Sequence, residues 1–200
     1  MLPAQPLRSA VQILLMVAVL WGVEFYDDIT PPAGDLELNG IQPRDPNGLD
    51  GVLWAPLLHG GWDHLISNSV PLLVLGWLVL ANGPRQFVAV TATVWLAAGL
   101  GTWLIAEPGT THVGASGVAF GWMVFLLVRG FFLGSCAQIL VAAVLFFYWG
   151  GMLWGVLPGQ PDISWQGHLC GALGGLVAAW LVSRNTRGPG KPSAPGTLAA

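Results

Sequence analysis

The chain has 200 residues, 54% of them hydrophobic and only 8% charged, with a net charge of −3, against the roughly 25% charged residues of a soluble domain. That balance excludes an ordinary soluble protein, and no nucleic-acid partner is expected. The 28 glycines and 11 tryptophans suit a lipid setting instead, since glycine lets membrane helices approach closely and tryptophan favours the water–lipid boundary.

Apolar segments recur at the length a membrane crossing needs, about 20 residues. They fall at about 10–25, 64–81, 84–106, 116–133, 136–157 and 165–183. The expected fold is therefore an all-α polytopic membrane protein, a bundle of six transmembrane helices. The first segment has the apolar length of a signal peptide, but no Ala-x-Ala-like site follows it, and acidic residues come next, so it is read as retained.

Charge placement orients the bundle. All ten acidic residues lie in or beside alternate connections, from Glu24 to Asp63, then Glu107, then Asp162. Arg8, Arg85, Arg129, Arg184, Arg187 and Lys191 lie on the other side, and only Arg44 breaks the pattern. The positive-inside bias then puts both termini in the cytoplasm and the acidic loops outside, as in a bacterial inner membrane. No span holds a carboxylate at depth and no internal repeat appears, which argues against a transporter or channel.

The first outer loop, about Tyr26–Ala55, is long enough to be functional or membrane-associated, and its Val52-Leu53-Trp54 is expected to dip into the interface. A single domain is expected over 1–184, followed by a disordered cytoplasmic tail over 185–200, rich in Gly, Pro, Ser and Ala. Cys136 and Cys170 fall at different depths, too far apart for a disulfide. His59, His64, His112 and His168 lack the spacing of a metal site, so neither metal nor cofactor is expected.

Four polar side chains interrupt the apolar segments at one depth. Ser116 opens the fourth span from the outside, and His168 lies about one turn inside the sixth. His64 and Asn68, at i and i+4, share a face of the second. Nucleophilic catalysis needs a hydroxyl, a base within hydrogen-bond reach and donors for the developing oxyanion. Ser116 supplies the hydroxyl and, at a helix N-terminus, free backbone N–H groups. His168 is the only histidine in spans four to six and is the natural base, while His64 and Asn68 are placed to donate. Gly117 and Gly121 form one small-residue ridge and Gly171 and Gly175 another, so the two helices can meet closely.

These residues resemble the rhomboid intramembrane serine proteases. The resemblance rests on Gly114-Ala115-Ser116-Gly117 opening span four, and on His168 followed by Gly171 and Gly175. It also rests on His59, His64 and Asn68 in a His-x4-His-x3-Asn arrangement, and covers about Ala10 to Ser183. It implies a two-residue dyad, with Ser116 as nucleophile and His168 as general base. The oxyanion would be held by His64, Asn68 and the Ser116 backbone N–H. Gly114, Gly117, His59 and Gly171 are supporting positions.

Two departures stand out. Phe120 replaces the tyrosine that bacterial members often pack on the catalytic histidine, keeping the stacking but losing the hydroxyl, and Trp54 is followed by Ala55 where a Trp-Arg pair is sometimes seen. The implied reaction is hydrolysis of peptide bonds in or near transmembrane segments of membrane proteins, through an acyl-enzyme. Substrate is expected to enter sideways, with Phe146-Phe147-Tyr148-Trp149 in the fifth span a candidate gate. The alternative is a non-catalytic relative that binds membrane clients, but such proteins usually lack the serine or the histidine.

Overall fold

The computed structural model describes residues 3–30, 35–160 and 163–186. Among them the chain is all-helical, in the order α1 (Pro6–Ile29), α2 (Gly51–Trp54), α3 (Trp62–Val79), α4 (Pro84–Ile105), α5 (Ser116–Leu133), α6 (Cys136–Trp149) and α7 (Trp165–Thr186). Short 3₁₀ turns link them, and the β-type pairing is one isolated bridge between Ile41 and His112. Five helical stretches are long and apolar enough to cross a membrane: Pro6–Ile29, Trp62–Asn82, Pro84–Ile105, Ser116–Leu133 and Cys136–Val156. The segment expected as a sixth span is helical, α7, but is not among these five, since Gln166, His168 and Gly167, Gly171, Gly174 and Gly175 dilute its apolar character.

Helix boundaries follow local chemistry. Pro6 and Pro84 sit in the first turns of α1 and α4, where a missing N–H costs nothing. Gly134, in the left-handed region, closes α5. The fifth apolar run, expected over about 136–157, is α-helical to Trp149 and continues as a 3₁₀ turn over Gly150–Val156. The Gly150-Gly151 pair has little propensity to extend a helix. The expected disordered tail lies outside the described residues from 187 onward, α7 running to Thr186.

α5 is the central helix. Trp122, Met123 and Phe125 are fully buried in a core shared with Leu65, Leu72 and Leu75 of α3 and Val90 and Val94 of α4. A helix apolar on all sides belongs in the middle of a bundle. α1 packs on α3 through Ile13, Val17 and Leu20, with Trp21 Nε1 donating to Ser69 Oγ at 3.0 Å. α7 lies against α5 and α4, whereas α6 touches chiefly α5 and leaves Phe146, Phe147 and Tyr148 exposed.

The long connection between α1 and α3 is folded rather than idle. Its turns are tied to α4 by Trp95 Nε1 donating to Val52 O at 2.7 Å, Trp103 Nε1 to Asp45 O at 3.0 Å, and Arg44 Nη2 to Ala106 O at 2.8 Å. Val52 is buried beside Gly99, so of the three residues expected at the interface only Leu53 and Trp54 face outward. The Ile41–His112 pair exchanges two backbone hydrogen bonds, and Gly114 N donates to Ala55 O at 2.8 Å, which anchors the start of α5 on the loop.

Candidate active site

Ser116 is the first residue of α5, and its N–H makes no hydrogen bond within the described residues. Before it, Gly114 has φ of +112°, a region that favours glycine. A Cβ there would also lie 2.7 Å from His64 Nε2, so the His64 ring passes directly over this backbone.

His168 is 7% exposed, four residues into α7. Its Nε2 lies 2.8 Å from Ser116 Oγ, and its Nδ1 lies 2.9 Å from Gly155 O. A carbonyl only accepts, so Nδ1 carries the proton and donates to it. In the neutral ring Nε2 is then the acceptor, receiving the Ser116 hydroxyl proton. Phe120 stacks on the imidazole, with centroids 3.9 Å apart and planes at 10°. Gly155 permits this approach, since a Cβ there would meet Phe120 Cζ at 2.9 Å and His168 Nδ1 at 3.1 Å.

The seam between α5 and α7 is built of backbone. A Cβ on Gly171 would collide with Gly117 O, and one on Gly175 with Gly121 O. The facing positions are close but less so, since a Cβ on Gly121 would come within 2.7 Å of Gly171 O and one on Gly117 within 3.1 Å of Gly167 O. These glycines set the helix separation, and with it the distance between Ser116 and His168.

His64 and Asn68 line the same cavity as Ser116, Phe120, Gly155 and His168, a cleft of about 890 Å³. The Gly60 N–H donates to His64 Nδ1 at 3.3 Å, which in the neutral ring leaves the proton on Nε2, the atom over Gly114. Asn68 Nδ2 donates to His64 O at 3.0 Å and keeps its second N–H. His59 does not reach the cleft. It is buried edge-on to His64, centroids 5.2 Å apart, with neither ring nitrogen partnered among the described residues, and burial beside His64 pushes its pKa down to about 4.

Three participants carried no sequence motif. Gly155 contributes a carbonyl and the absence of a side chain. His112 Nδ1 lies 2.8 Å from Ser164 Oγ and its Nε2 lies 2.8 Å from Thr110 Oγ1. Because the Thr110 hydroxyl donates to Glu107 O at 2.6 Å, Nε2 is the donor of that second contact and Nδ1 accepts from Ser164. Ser164 in turn caps α7, accepting from Gly167 N at 3.4 Å. His112 thus clasps the cap of the helix that carries His168. Burial lowers its pKa, which keeps it neutral. The signal for the cap was a serine immediately before an apolar run; nothing marked its partner.

A family model described as Rhomboid domain matches residues 48–185. An uncharacterized protein of Mycobacterium tuberculosis is 48% identical over 183 residues, covering 88% of this chain and 75% of its own length. One from Mycobacterium leprae is 46% identical over 187 residues, covering 90% and 73%. Rhomboid-like protease 5 of Toxoplasma gondii is 26% identical over 76% of this chain, a match to 18% of that longer protein. With its apolar helices, the chain is an integral membrane protein and belongs to the rhomboid family.

Proposed function

We propose that the chain is an intramembrane serine endopeptidase, with Ser116 as nucleophile, His168 as general base, and one catalytic domain over 1–184. The observation that carries this reading is the 2.8 Å contact between Ser116 Oγ and the unprotonated nitrogen of His168. Ser116 Oγ attacks the scissile carbonyl carbon as its proton passes to His168 Nε2. The imidazolium is held by Gly155 O at Nδ1 and by the Phe120 face, a cation–π contact. The Ser116 N–H, His64 Nε2–H and the second Asn68 N–H serve as donors to the oxyanion, in a low-dielectric setting where such donors count most. The C–N bond then breaks, His168 returns its proton to the leaving amine, and water, deprotonated by the same nitrogen, hydrolyses the acyl-enzyme.

Six crossings with both termini cytoplasmic place the cleft on the outer side of a bacterial inner membrane, and the substrates are transmembrane segments of other membrane proteins within the bilayer. A regular helix hides its carbonyls in its own hydrogen bonds, so segments with helix-breaking residues are favoured. In the test, wild type and Ser116→Ala are compared in liposomes with a labelled transmembrane substrate and with a fluorophosphonate probe. Cleavage and labelling are both lost in Ser116→Ala, with a rate drop on the order of 10⁴ or more. Cleavage at the wild-type rate by Ser116→Ala overturns the reading; a wild type that binds the substrate without cleaving it favours a client-binding relative.

A further inference from the structure

Arg129 lies on α5, 13 residues beyond Ser116, about 20 Å along the helix at 1.5 Å per residue. It is 6% exposed. Its Nε donates to Gln138 Oε1 at 2.8 Å, and its face rests on Phe125, 5.1 Å from the ring centroid. With the Asn82 amide turned so that its oxygen faces the guanidinium, both Nη atoms donate to that oxygen, Nη1 at 2.8 Å. Every one of these partners is neutral.

A buried charge needs an opposite charge or enough dipoles to replace its hydration. No carboxylate among the described residues reaches Arg129, and the sequence explains why. The acids there occupy the end of α1, the first outer loop, the start of α3 and the turn after α4, all at the Ser116 end of the bundle. Arg8 near the start of α1, Arg85 near the start of α4 and Arg184 near the end of α7 share the end that holds Arg129. The negative end of the α5 dipole offsets only part of a full charge. Among the described residues, then, nothing supplies the counter-charge, and an anion from outside them would.

Space for it exists beside the guanidinium. Leu78, Asn82, Leu126, Arg129, Gln138 and Val141 line a cavity of about 100 Å³, several times what one water needs. Asn82 is exposed, so the cavity opens at the end of α3, while leucine and valine from α3, α5 and α6 make its walls. Three of the five guanidinium N–H groups are taken by Gln138 and Asn82, leaving two, and the Gln138 Nε2 amide adds further donors.

We propose that this cavity binds a phosphate group, with Arg129 as its charge and Asn82 and Gln138 as its polar mouth. The two remaining guanidinium N–H groups point to opposite sides, so a phosphate oxygen takes one of them together with the Gln138 Nε2 amide, and the guanidinium supplies the charge. The group is the phosphodiester of an anionic lipid or free inorganic phosphate, and the site is independent of the chemistry at Ser116.

Thermal unfolding of the full chain in neutral detergent micelles tests this, with added phosphatidylglycerol, phosphatidylcholine or inorganic phosphate at matched ionic strength. Phosphatidylglycerol raises Tm by about 5 °C at a hundredfold excess over its dissociation constant, and phosphatidylcholine, whose charge is internally cancelled, does not. An equal rise with inorganic phosphate assigns the site to free phosphate; a rise with phosphatidylglycerol alone assigns it to the lipid. Gln138→Glu supplies a carboxylate within the chain, so this variant unfolds at a higher Tm without additive and loses the response. Arg129→Gln loses the response without that gain. No response in wild type, or the same response in wild type and Gln138→Glu, overturns the proposal.

Discussion

The seam between α5 and α7 and the flank formed by α6 with its 3₁₀ extension hold the same imidazole in opposite ways. Across the seam, glycine carbonyls sit where a Cβ would be, so Ser116 and His168 are spaced by backbone against backbone. On the flank, Gly155 offers His168 Nδ1 a single carbonyl from a segment in which no residue is buried, behind a helix whose Phe147 is 82% exposed. The distance between Ser116 Oγ and His168 Nε2 thus depends on a close backbone packing. The tautomer of His168 depends on a loosely held segment. Elements with few buried contacts open at low free-energy cost, so motion at the cleft belongs to the flank.

Closing off the seam breaks this comparison most directly. Gly171→Leu pushes α7 away from Gly117 O and abolishes substrate cleavage. Gly171→Ala lowers the rate by about 10²-fold, the cost of misplacing a reacting group by about 1 Å, and destabilises the fold by about 1–3 kcal/mol through overpacking. Gly22→Ala in α1 meets nothing within 4 Å, so it leaves the rate unchanged and adds about 0.5–1 kcal/mol of stability through helix propensity. Rate and Tm measured side by side decide it; a Gly171→Ala enzyme of normal activity removes the seam as the spacer.

Acid separates the loop end from the seam. His59 has a folded pKa near 4 against an ordinary value of 6.5, so the unfolded chain binds the proton first. Stability is therefore full above about pH 6.5, falls as pH drops and levels near pH 4, a loss of about 3 kcal/mol from this residue. The lowered pKa of His112 acts with the same sign. Tm measured from pH 7 to 4 follows this slope, and His59→Phe flattens most of it. A slope unaffected by that substitution moves the acid sensitivity elsewhere.

Ser164→Ala probes the clasp between the two regions. It removes the α7 cap and the hydroxyl that His112 accepts, for about 1 kcal/mol of stability, and a several-fold fall in rate with the larger share in kcat. Equal stability in Ser164→Ala and wild type removes the cap from the argument.

Much of this arrangement was legible in the sequence where side-chain type and period carry the information. The apolar runs gave the long helices, and the common depth of Ser116, His168, His64 and Asn68 anticipated a shared cleft. The glycine ridges at 117, 121, 171 and 175 anticipated the contact of α5 with α7. Backbone contributions left no such trace, because a carbonyl carries no residue type and the glycine at 155 belongs to no motif shared with His168, 13 residues on. The His112–Ser164 pair joins two connections 52 residues apart, a proximity that no local period encodes. The lower apolar character of α7 has the same root as its function in packing: its glycines serve the seam rather than the lipid.

The smallest expected effect falls on α6, where two neighbouring positions divide the comparison within one helix. Leu145 is buried in the core shared with α5, and Leu145→Ala costs about 2–3 kcal/mol as a large-to-small core substitution. Phe147 points away from the bundle, touching Tyr148 edge-on at 5.2 Å, and Phe147→Ala changes stability by less than about 0.5 kcal/mol. If α6 is held by its Leu145 face alone, hydrogen exchange over 150–156 rises in Leu145→Ala and stays at the wild-type rate in Phe147→Ala. A Phe147→Ala chain that loses as much stability as Leu145→Ala means that the outer face of α6 has a protein partner, and the flank is then no looser than the seam.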